Sequence, residues 1–379
     1  MSKPKVKQQP STTKKPSRSK QASVSICIPS SVISSKNAYN LQQQTSIVYQ
    51  IVKACTIYNV SEVIILNIPD INEEKQENVE QTINGNKKVV FNGEKVETKL
   101  ETKKSTLNDD TLLLASLLQF FITPPYLIKT MFSNKSNSNF TKILPKFKYA
   151  LKLPKITTLP FMQNNEVYKN FKEGLIIAKK TPKIKKKNEI IKPERKLTVS
   201  KYVNIGESKP IKLNIKREIP IYSRVTIDIK NKTIVSPIEA YGYNGYKSSF
   251  GYNVRIVDEF NKLFTQSPIK EGYSKTLFIN CDDYFENKNN RTKINELDEF
   301  NCQEFKNKTI TTTNDNKNNN DNLLLLIGNL NDFEINFNND SSTMFKDLNI
   351  VQLIDNKLTI PKGCKIEDGL LICLTRLLL

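Results

Sequence analysis

The hydrophobic residues near the start of the chain follow two different periods. Residues 24–29 form a run that is apolar except at Ser25, which is typical of a strand that is buried on both faces. Residues 41–58 then carry apolar side chains at helical spacing, and residues 62–66 form a second run that is apolar after Glu62. The pattern predicts a strand–helix–strand unit with parallel strands and a right-handed connection.

The C-terminal region repeats this pattern. Strands are predicted at 275–280, at 323–327 before Gly328 and Asn329, and at 350–354, and an apolar helix is predicted at 367–379. Parallel strands that end in loops at one edge of a sheet form small-molecule sites. Because the chain has no glycine-rich phosphate loop, we expect backbone groups of these loops to hold the ligand.

Between residues 174 and 246 the period changes to short alternating segments separated by Pro, Gly and Asn. This spacing predicts a small β-barrel, for which an oligonucleotide-binding (OB) barrel is one interpretation and a purely structural insert is the alternative. The predicted organisation is a disordered basic tail at 1–22, the first part of an α/β domain at 23–170 with a low-complexity insert at 70–110, the OB-like barrel at 171–247, and the second part of the α/β domain at 248–379 with a low-complexity loop at 287–322.

Positive charge is concentrated in two parts of the 379-residue chain, whose net charge is +20. Residues 1–21 contain seven basic residues and no acidic one, and residues 172–232 contain 18 basic and 6 acidic residues. Residues 258–379, in contrast, contain 14 basic and 19 acidic residues. This segregation favours a polyanionic partner such as nucleic acid over a basic surface that serves only solubility.

The absence of histidine excludes several kinds of catalytic and metal site. It excludes Ser-His-Asp and Cys-His nucleophiles, histidine acid–base catalysis and the common zinc sites that use histidine, so no metal is expected. The six cysteines form no C-x-x-C pair, and we expect them to be reduced core residues of an intracellular protein. The longest apolar segment, 112–128, is interrupted by polar residues and prolines, so no membrane span is expected.

Seven short motifs in one order resemble a single family, the SPOUT-class (α/β trefoil-knot) RNA methyltransferases, in the archaeal and eukaryotic branch with an OB-like insertion. The motifs are SICIPS at 25–30, QIVKAC at 50–55, LLQFFITPPYL at 117–127, KEG at 172–174, GYNVR at 251–255, LLIGNL at 325–330 and EDGLL at 367–371. The resemblance covers residues 24–379 apart from the low-complexity inserts. It implies a C-terminal topological knot and a homodimer with the active site near the dimer interface.

The resemblance also implies S-adenosylmethionine as the methyl donor, held bent by backbone groups of three loops. The donor-binding residues that it implies are Asn280 and Cys281 in the first loop, Ile327, Gly328 and Asn329 in the second, and Leu353, Ile354, Asp355, Thr359, Ile360 and Lys365 in the third. Two departures affect this prediction. Gly328 is followed by Asn329 where the family often has a second glycine, and residues 357–365 differ from the family's Gly-Ser-Arg-Thr-Ile-Arg-like run.

Methyl transfer to nitrogen or oxygen requires an aligned acceptor and the removal of a proton. Arg255 and Lys53 are candidate catalytic groups that would stabilise negative charge developing on the acceptor, although each is equally well interpreted as an ordinary surface side chain. The base is expected to be a carboxylate or an acceptor atom of low pKa. Tyrosines that would stack on RNA bases, or else pack in turns and the core, are Tyr202, Tyr241, Tyr243 and Tyr246.

The sequence therefore predicts an S-adenosylmethionine-dependent methyltransferase that acts on ribosomal RNA in the nucleus, within the nucleolus. The altered loops support an alternative, a noncatalytic RNA-binding or ribosome-assembly factor on a degenerate methyltransferase scaffold. A protein methyltransferase is the third interpretation, because the knotted fold also serves that reaction.

Overall fold

The computed structural model describes residues 23–69, 108–132, 143–163, 169–178, 184–186, 189–191, 198–247, 250–284, 288–311, 322–340 and 348–378. The predicted tail at 1–22 lies outside these residues, as do most of the insert predicted at 70–110 and residues 312–321 of the loop predicted at 287–322.

Strands and helices alternate at both ends of the chain, and the region between these ends consists mainly of strands. The strands are β1 (Ser23–Pro29), β2 (Glu62–Leu66), β3 (Phe171–Ile177), β4 (Ile184–Lys186), β5 (Glu189–Ile191), β6 (Val199–Ser200), β7 (Tyr202–Asn204), β8 (Ile211–Lys212), β9 (Ile219–Pro220), β10 (Arg224–Asp228), β11 (Thr233–Ile234), β12 (Asn253–Val257), β13 (Lys275–Asn280), β14 (Asn322–Gly328) and β15 (Asn356–Lys357). The α-helices are α1 (Leu41–Ile57), α2 (Asp109–Phe121), α3 (Ile128–Met131), α4 (Pro237–Lys247, interrupted at Gly242), α5 (Lys262–Thr265), α6 (Lys288–Asn295), α7 (Cys302–Thr311), α8 (Leu330–Asn338) and α9 (Ile366–Leu378). Short 3-10 helices are Ser30–Ile33, Pro125–Leu127, Leu144–Lys148, Ala150–Lys152, Pro160–Met162 and Ile350–Leu353.

A six-stranded parallel sheet forms the centre of the α/β domain, in the order β12-β2-β1-β14-β13-β15. Strand β14 contains an unbroken run of leucines because both of its faces are buried. Leu323 and Leu325 pack toward α1, α2 and α9, whereas Leu324 and Leu326 pack toward α5 and α8 on the other face. Both faces of the sheet are covered, which confirms the strand–helix–strand interpretation of residues 24–66.

The inserted region forms a five-stranded antiparallel sheet in the order β11-β10-β3-β7-β8. It has its own small core around Ile176, Val203 and Ile227. The outer strands of this sheet are β8 and β11. The residues next to them are joined by a hydrogen bond, which the Asn214 amide donates to the Lys232 carbonyl at 2.8 Å.

Two segments differ from the predictions. Residues 350–354 were expected to form a strand, but Ile350–Leu353 is a 3-10 helix because Asn349 and Gln352 form a capping box at its start. The strand that enters the sheet is instead β15. Within the loop predicted at 287–322, residues 288–295 form α6 and residues 302–311 form α7. Helix α6 gains tertiary support from the ion pair of Lys293 with Glu334 at 2.7 Å.

The apolar segment before the insert does not form one long helix. Helix α2 ends at Phe121, and the chain continues as a 3-10 turn at Pro125–Leu127 and the short helix α3, because a proline removes a helix hydrogen bond and clashes with the preceding turn. Across the described residues, the structure contains no helix long and apolar enough to span a bilayer.

The cysteines occupy the positions expected of core thiols. All six are free; Cys27, Cys55, Cys281 and Cys373 are buried, and Cys302 and Cys364 are half-buried. Burial raises the pKa of the four buried thiols, so they are protonated and unreactive at neutral pH.

Candidate functional site

The loops at the C-terminal end of the sheet are held together by backbone hydrogen bonds. Residues 356–359 lie between β13 and the segment 298–300. On one side the Leu358 amide donates to the Phe278 carbonyl at 3.0 Å, and on the other the Phe300 amide donates to the Lys357 carbonyl at 2.8 Å. The segment that leads to α9 is therefore bonded on one side to β13 and on the other to residues 298–300.

Glu299 fixes the next residue of this segment. Its carboxylate accepts hydrogen bonds from the Thr359 amide at 3.0 Å and from Thr359 Oγ1 at 2.6 Å. Arg376 of α9 lies 3.7 Å from the same carboxylate and also donates to the Thr359 carbonyl. Thr359 is thus held by both its backbone and its side chain, which gives the loop before α9 a defined shape.

A first cavity, of about 490 Å³, opens between the loop after β13 and the segment after β15. This size falls in the range of small-molecule sites. Its walls are Phe278, Asn280, Asp283, Tyr284, Ile294, Asn295, Lys357, Leu358, Thr359, Ile360, Lys362 and Gly363. The structure therefore brings together three of the residues predicted to bind a donor, Asn280, Thr359 and Ile360, in one cavity.

Asn280 has an incompletely bonded side chain in this wall. Its Nδ2 donates to Asp283 at 3.1 Å, but its Oδ1 is buried without a hydrogen-bond partner among the described residues. A buried acceptor without a partner costs free energy of about 1–3 kcal/mol. A bound molecule that offers a donor at this point would remove that cost.

A second cavity, of about 720 Å³, lies on the other side of the loop after β13, at the C-terminal ends of β1, β2, β13 and β14. Its walls are Ser30, Ser31, Ser34, Ser35, Lys36, Asn37, Ile68, Pro69, Asn108, Asp110, Asp282, Asn329, Asn331, Asp332, Glu334, Ile335 and Asn338. It is polar and contains the predicted residue Asn329, so the loops expected to form one site line two neighbouring cavities.

Asp282 separates the two cavities. It has a left-handed backbone, φ +57°, which is uncommon for a residue other than glycine, and its amide donates to the Cys364 carbonyl at 2.9 Å. Burial, together with the neighbouring charge of Glu367, raises the pKa of the Asp282 carboxyl to about 6, although Lys365 opposes the change. Nearby, Ser31 Oγ donates to Asp332 Oδ2 at 2.5 Å, and burial raises the pKa of Asp332.

Comparison with known proteins shows the family to which the chain belongs. Residues 23–377 match the model of a family described as "Putative RNA methyltransferase". The chain belongs to this RNA methyltransferase family. Among its relatives are two Saccharomyces cerevisiae proteins named "Putative methyltransferase": one is 36% identical over 67% of this chain and 68% of its own length, and the other is 33% identical over 69% and 60%. The 28S rRNA (uridine-N(3))-methyltransferase of Mus musculus is 23% identical over 67% of this chain and 55% of its own length, so the chain spans little more than half of that relative.

In this member of the RNA methyltransferase family, Gly328 has a structural role. It has φ +154° and is packed so closely that an added Cβ would lie 3.0 Å from Pro29 Cδ and 3.3 Å from Phe333. Asn329 caps α8, since its side chain accepts from the Asn331 amide at 3.0 Å. Gly328 and the preceding Ile327 are fully buried and line neither cavity.

The other residues predicted in the donor loops lie around the cavities and do not line them. Cys281 is buried against Gly369 of α9, and Ile354 is buried beside Leu353 in the core under α8. Asp355 accepts a hydrogen bond from the Thr276 amide at 2.7 Å, which fixes the start of β15. Lys365 lies close enough to Asp282 to affect its pKa.

The two predicted catalytic residues lie on different elements, Arg255 on β12 and Lys53 on α1. Arg255 forms an ion pair with Glu62 at 2.8 Å and donates to the carbonyls of Lys262 and Leu263. It lies on β12, four strands from β13, which corresponds to about 19 Å at the usual strand spacing. Lys53 is exposed on α1, 5.9 Å from the ring of Tyr49. Neither residue lines either cavity.

Of the four tyrosines predicted to stack on bases, two have side chains within the described residues. Tyr241 is buried, and its hydroxyl donates to Glu173 at 2.7 Å, so it is a core residue of the insert, whereas Tyr202 is half-buried. The side chains of Tyr243 and Tyr246 lie outside the described part of the structure.

The residues that sequence reasoning missed are the acidic and aromatic ones after β13: Asp282, Asp283 and Tyr284. The signal was present, because they directly follow an apolar strand at the edge where parallel strands form sites. In the described residues, histidine, cysteine and acidic side chains form no cluster suited to a metal ion.

Proposed function

We propose that the protein is an S-adenosylmethionine-dependent methyltransferase that modifies large-subunit ribosomal RNA, with the methyl donor bound in the first cavity. The observation that carries the proposal is this cavity, which is built from the loops after β13 and β15 in a chain of the RNA methyltransferase family. The relatives named 28S rRNA (uridine-N(3))-methyltransferases support rRNA as the substrate and a uridine ring nitrogen as the acceptor.

The walls of the first cavity fit such a donor. Asn280 Oδ1 would accept a hydrogen bond from an amino or hydroxyl group of the donor, and the backbone of 357–360 would border it on the opposite side. Asp283 supplies negative charge and Lys362 positive charge for the amino-acid part of the ligand. When bound, S-adenosylmethionine supplies an electrophilic methyl group on a sulfonium.

A trefoil knot of the SPOUT class is the topology that we propose for these loops. Segment 356–359 is bonded on one side to β13 and on the other to residues 298–300, and the chain then continues into α9, which packs on α1. A C-terminal segment that is bonded to β13 on one side and to residues 298–300 on the other is consistent with the threading that a knot requires.

The antiparallel insert would hold the RNA, as an OB-like domain. In the part of the insert that the structure describes, exposed basic side chains include Lys209, Lys212, Lys216, Arg217, Lys230 and Lys232. Such residues bind phosphates without sequence preference and would make binding strongly dependent on salt. An rRNA substrate and basic segments are consistent with a nucleolar location.

A homodimer is supported by apolar residues exposed on two adjacent helices. Leu371 of α9 is 45% exposed and Ile57 of α1 is 48% exposed, and the helices contact each other through the hydrogen bond between Tyr58 and Thr375 at 2.8 Å. Sedimentation of the wild-type protein and of Leu371→Glu would test this arrangement, with a monomeric variant expected. Dimeric sedimentation of the variant would exclude this surface.

Calorimetric titration with S-adenosylmethionine tests the central proposal. We expect binding by the wild type, loss of at least tenfold in affinity in Asn280→Leu, and no change in Asn253→Leu, an exposed asparagine at the opposite end of the sheet. Asn280→Leu removes an unpaired buried acceptor but also the hydrogen bond from Nδ2 to Asp283 at 3.1 Å, so circular dichroism of the variant is the control for folding.

Transfer of a labelled methyl group from S-adenosylmethionine distinguishes an RNA methyltransferase from a protein methyltransferase and from a noncatalytic RNA-binding factor. Label that appears in RNA supports the proposal. Label that remains on polypeptide after nuclease treatment would identify a protein methyltransferase. A folded wild type that binds RNA but not the donor would identify a noncatalytic RNA-binding factor.

A further inference from the structure

We propose that a group of lysines on the α/β domain, outside both cavities and outside the insert, binds the phosphate backbone of RNA. The group, called here the lysine patch, consists of Lys146, Lys148, Lys152 and Lys155. The inference goes beyond the proposed function, because it concerns RNA binding by a surface that takes no part in holding the methyl donor.

The segment that carries the lysine patch has charge of one sign. Residues 143–163 contain these four lysines and no acidic residue. Lys148, Lys152 and Lys155 are exposed, and Lys146 is half-buried. Among the described residues, no carboxylate lies within ion-pair distance of any of the four. Because the protein does not neutralise these charges itself, they are available to a polyanion.

The backbone under the lysine patch is fixed by buried side chains. Phe147 and Ala150 lie between the lysines in the chain and are only 1% and 3% exposed. The Phe147 ring packs against the rings of Phe120 in α2 and Phe132 after α3, with centroid distances of 4.7 and 5.0 Å. The turn Ala150–Lys152 contacts α1. The lysines therefore project from a fixed surface of the α/β domain.

One tyrosine ring holds two of these lysines near each other. Lys148 Nζ lies 4.8 Å and Lys152 Nζ 5.8 Å from the centroid of the Tyr149 ring. The ring attracts each ammonium group, which offsets part of the repulsion between the two charges. Two positive charges held close together on one surface suit neighbouring phosphates of an RNA strand.

The lysine patch lies on the segment that leads from the α/β domain to the insert. Further along this segment, the Phe161 ring packs against the Arg224 guanidinium of β10, with 4.5 Å between the guanidinium carbon and the ring centroid. An RNA strand that follows the segment from Lys146 to Phe161 would therefore reach the insert, whose exposed lysines are the other proposed RNA contact.

Two exposed leucines beside the lysines make an anionic lipid surface the alternative partner. Leu151 is 67% exposed and Leu144 is 39% exposed. Binding in the membrane interface, however, is typical of a long amphipathic helix with a continuous apolar face, whereas residues 144–152 form two short 3-10 helices. The RNA methyltransferase family of the chain also favours RNA.

The salt dependence of RNA binding tests the lysine patch. The probe is a labelled RNA hairpin, titrated with the full chain at several sodium chloride concentrations, without S-adenosylmethionine, and followed by fluorescence anisotropy. Each phosphate contact contributes about 0.7–0.9 to the slope of log K against log salt. We expect Lys148→Gln/Lys152→Gln to lower the affinity about tenfold at low salt and to reduce the slope by about 1.4–1.8.

Control variants separate the position of the charge from its amount. Lys148→Arg/Lys152→Arg keeps both charges and should bind the hairpin within about threefold of the wild type. Lys152→Gln should reduce the slope by about 0.7–0.9, whereas Lys270→Gln, which removes one charge from an exposed residue before β13, should leave it unchanged. Circular dichroism would verify that each variant is folded.

Four results would overturn the inference. Wild-type affinity and slope in Lys148→Gln/Lys152→Gln would exclude the lysine patch as an RNA contact. Equal reductions of the slope in Lys152→Gln and Lys270→Gln would show that net charge alone matters. Unchanged RNA binding by the double glutamine variant, together with lost binding to phosphatidylserine vesicles, would identify a membrane surface instead. A wild type that does not bind the hairpin would also exclude the patch.

The inference and the proposed function fail separately. A wild type whose RNA binding depends on the lysine patch, but which neither binds S-adenosylmethionine nor transfers its methyl group, would support the inference and overturn the proposed function. Methyl transfer to RNA by a protein whose RNA affinity is unaffected in Lys148→Gln/Lys152→Gln would support the function and overturn the inference.

Discussion

The Glu173 carboxylate and the Arg224 guanidinium form a buried ion pair, 3.4 Å apart, at the junction of the antiparallel insert and the α/β domain. Arg224 also donates to the Ile122 carbonyl at 2.9 Å and is stacked against Phe161, while Glu173 Oε1 accepts from Thr226 and Tyr241. Burial raises the pKa of Glu173 and lowers that of Arg224, and their attraction opposes both changes. The pair joins two strands of the insert, and the hydrogen bond of Arg224 to Ile122 fixes the insert to the domain that carries the cavities.

Removing one member of this pair should be costly. We expect Arg224→Met to lower the free energy of unfolding by about 3–5 kcal/mol, because it leaves a buried carboxylate without its counter-charge. The double variant Glu173→Gln/Arg224→Met should recover at least half of that loss. Urea unfolding followed by circular dichroism would measure both, and a single variant within 1 kcal/mol of the wild type would contradict the assignment.

The sequence predicted the elements whose stability comes from their own residues. Strand β2 and strand β13 have the predicted bounds, because a strand buried on both faces requires an uninterrupted apolar run. Helix α6 was missed because it is polar and depends on distant partners, such as Asn331, which accepts from Asn290 at 2.8 Å. Its stability is tertiary, and a local pattern does not contain it.

The site was predictable in part for the same reason. The loops after β13 and β14 follow from the position of the strand ends, and Gly328 follows from the turn. The division into two cavities does not, because it depends on the left-handed backbone of Asp282 and on the bonds that hold Thr359 to Glu299. The bonds between Thr359 and Glu299 join residues that are distant in the sequence. The backbone conformation of Asp282 is one that its residue type does not specify.

Gly328 should tolerate no side chain. We expect Gly328→Ala to lose about 2–4 kcal/mol of stability, from the backbone conformation and from the contact of the new Cβ with Pro29 at 3.0 Å. Gly272→Ala is the matched control, since Gly272 also has a positive φ, +73°, but nothing within 4 Å of the new Cβ. The control should lose only about 1–2 kcal/mol in the same denaturant assay. Equal losses in the two variants would show that packing at Gly328 contributes nothing.

The contact between Gly369 and Cys281 predicts a rescue. A Cβ at position 369 would overlap Cys281 Sγ, whereas Cys281 Cβ would lie 3.9 Å away. Gly369→Ala should therefore destabilise the protein by about 1–3 kcal/mol, and Cys281→Ala in the same chain should restore at least half of the loss. Thermal unfolding of the two single variants and the double variant would measure the coupling. Additive effects would contradict the contact.

Glu299 should affect donor binding more than stability. It is 43% exposed at its side chain, so Glu299→Ala should change the melting temperature little, but the loss of its two hydrogen bonds releases Thr359 in the wall of the first cavity. We expect about a tenfold loss of affinity for S-adenosylmethionine by calorimetry, which corresponds to about 1.4 kcal/mol. Glu296→Ala, at an exposed residue three positions earlier, is the control. A stable variant with unchanged affinity would show that Thr359 does not shape the donor site.

The raised pKa of Asp282 has a consequence for folding that does not depend on any ligand. The folded protein binds the proton more tightly than the unfolded chain, so the stabilising contribution of this carboxyl is complete below about pH 4 and is lost as the pH rises through about 6. Asp282→Asn removes the titration. The variant should therefore gain stability relative to the wild type across this window, by about 1–2 kcal/mol after allowance for solvent screening. Urea unfolding of both proteins at pH 4, 5, 6 and 7 would test it, with Asp298→Asn as the control. Wild-type and variant stabilities that run parallel over this range would show that Asp282 is not held at a raised pKa.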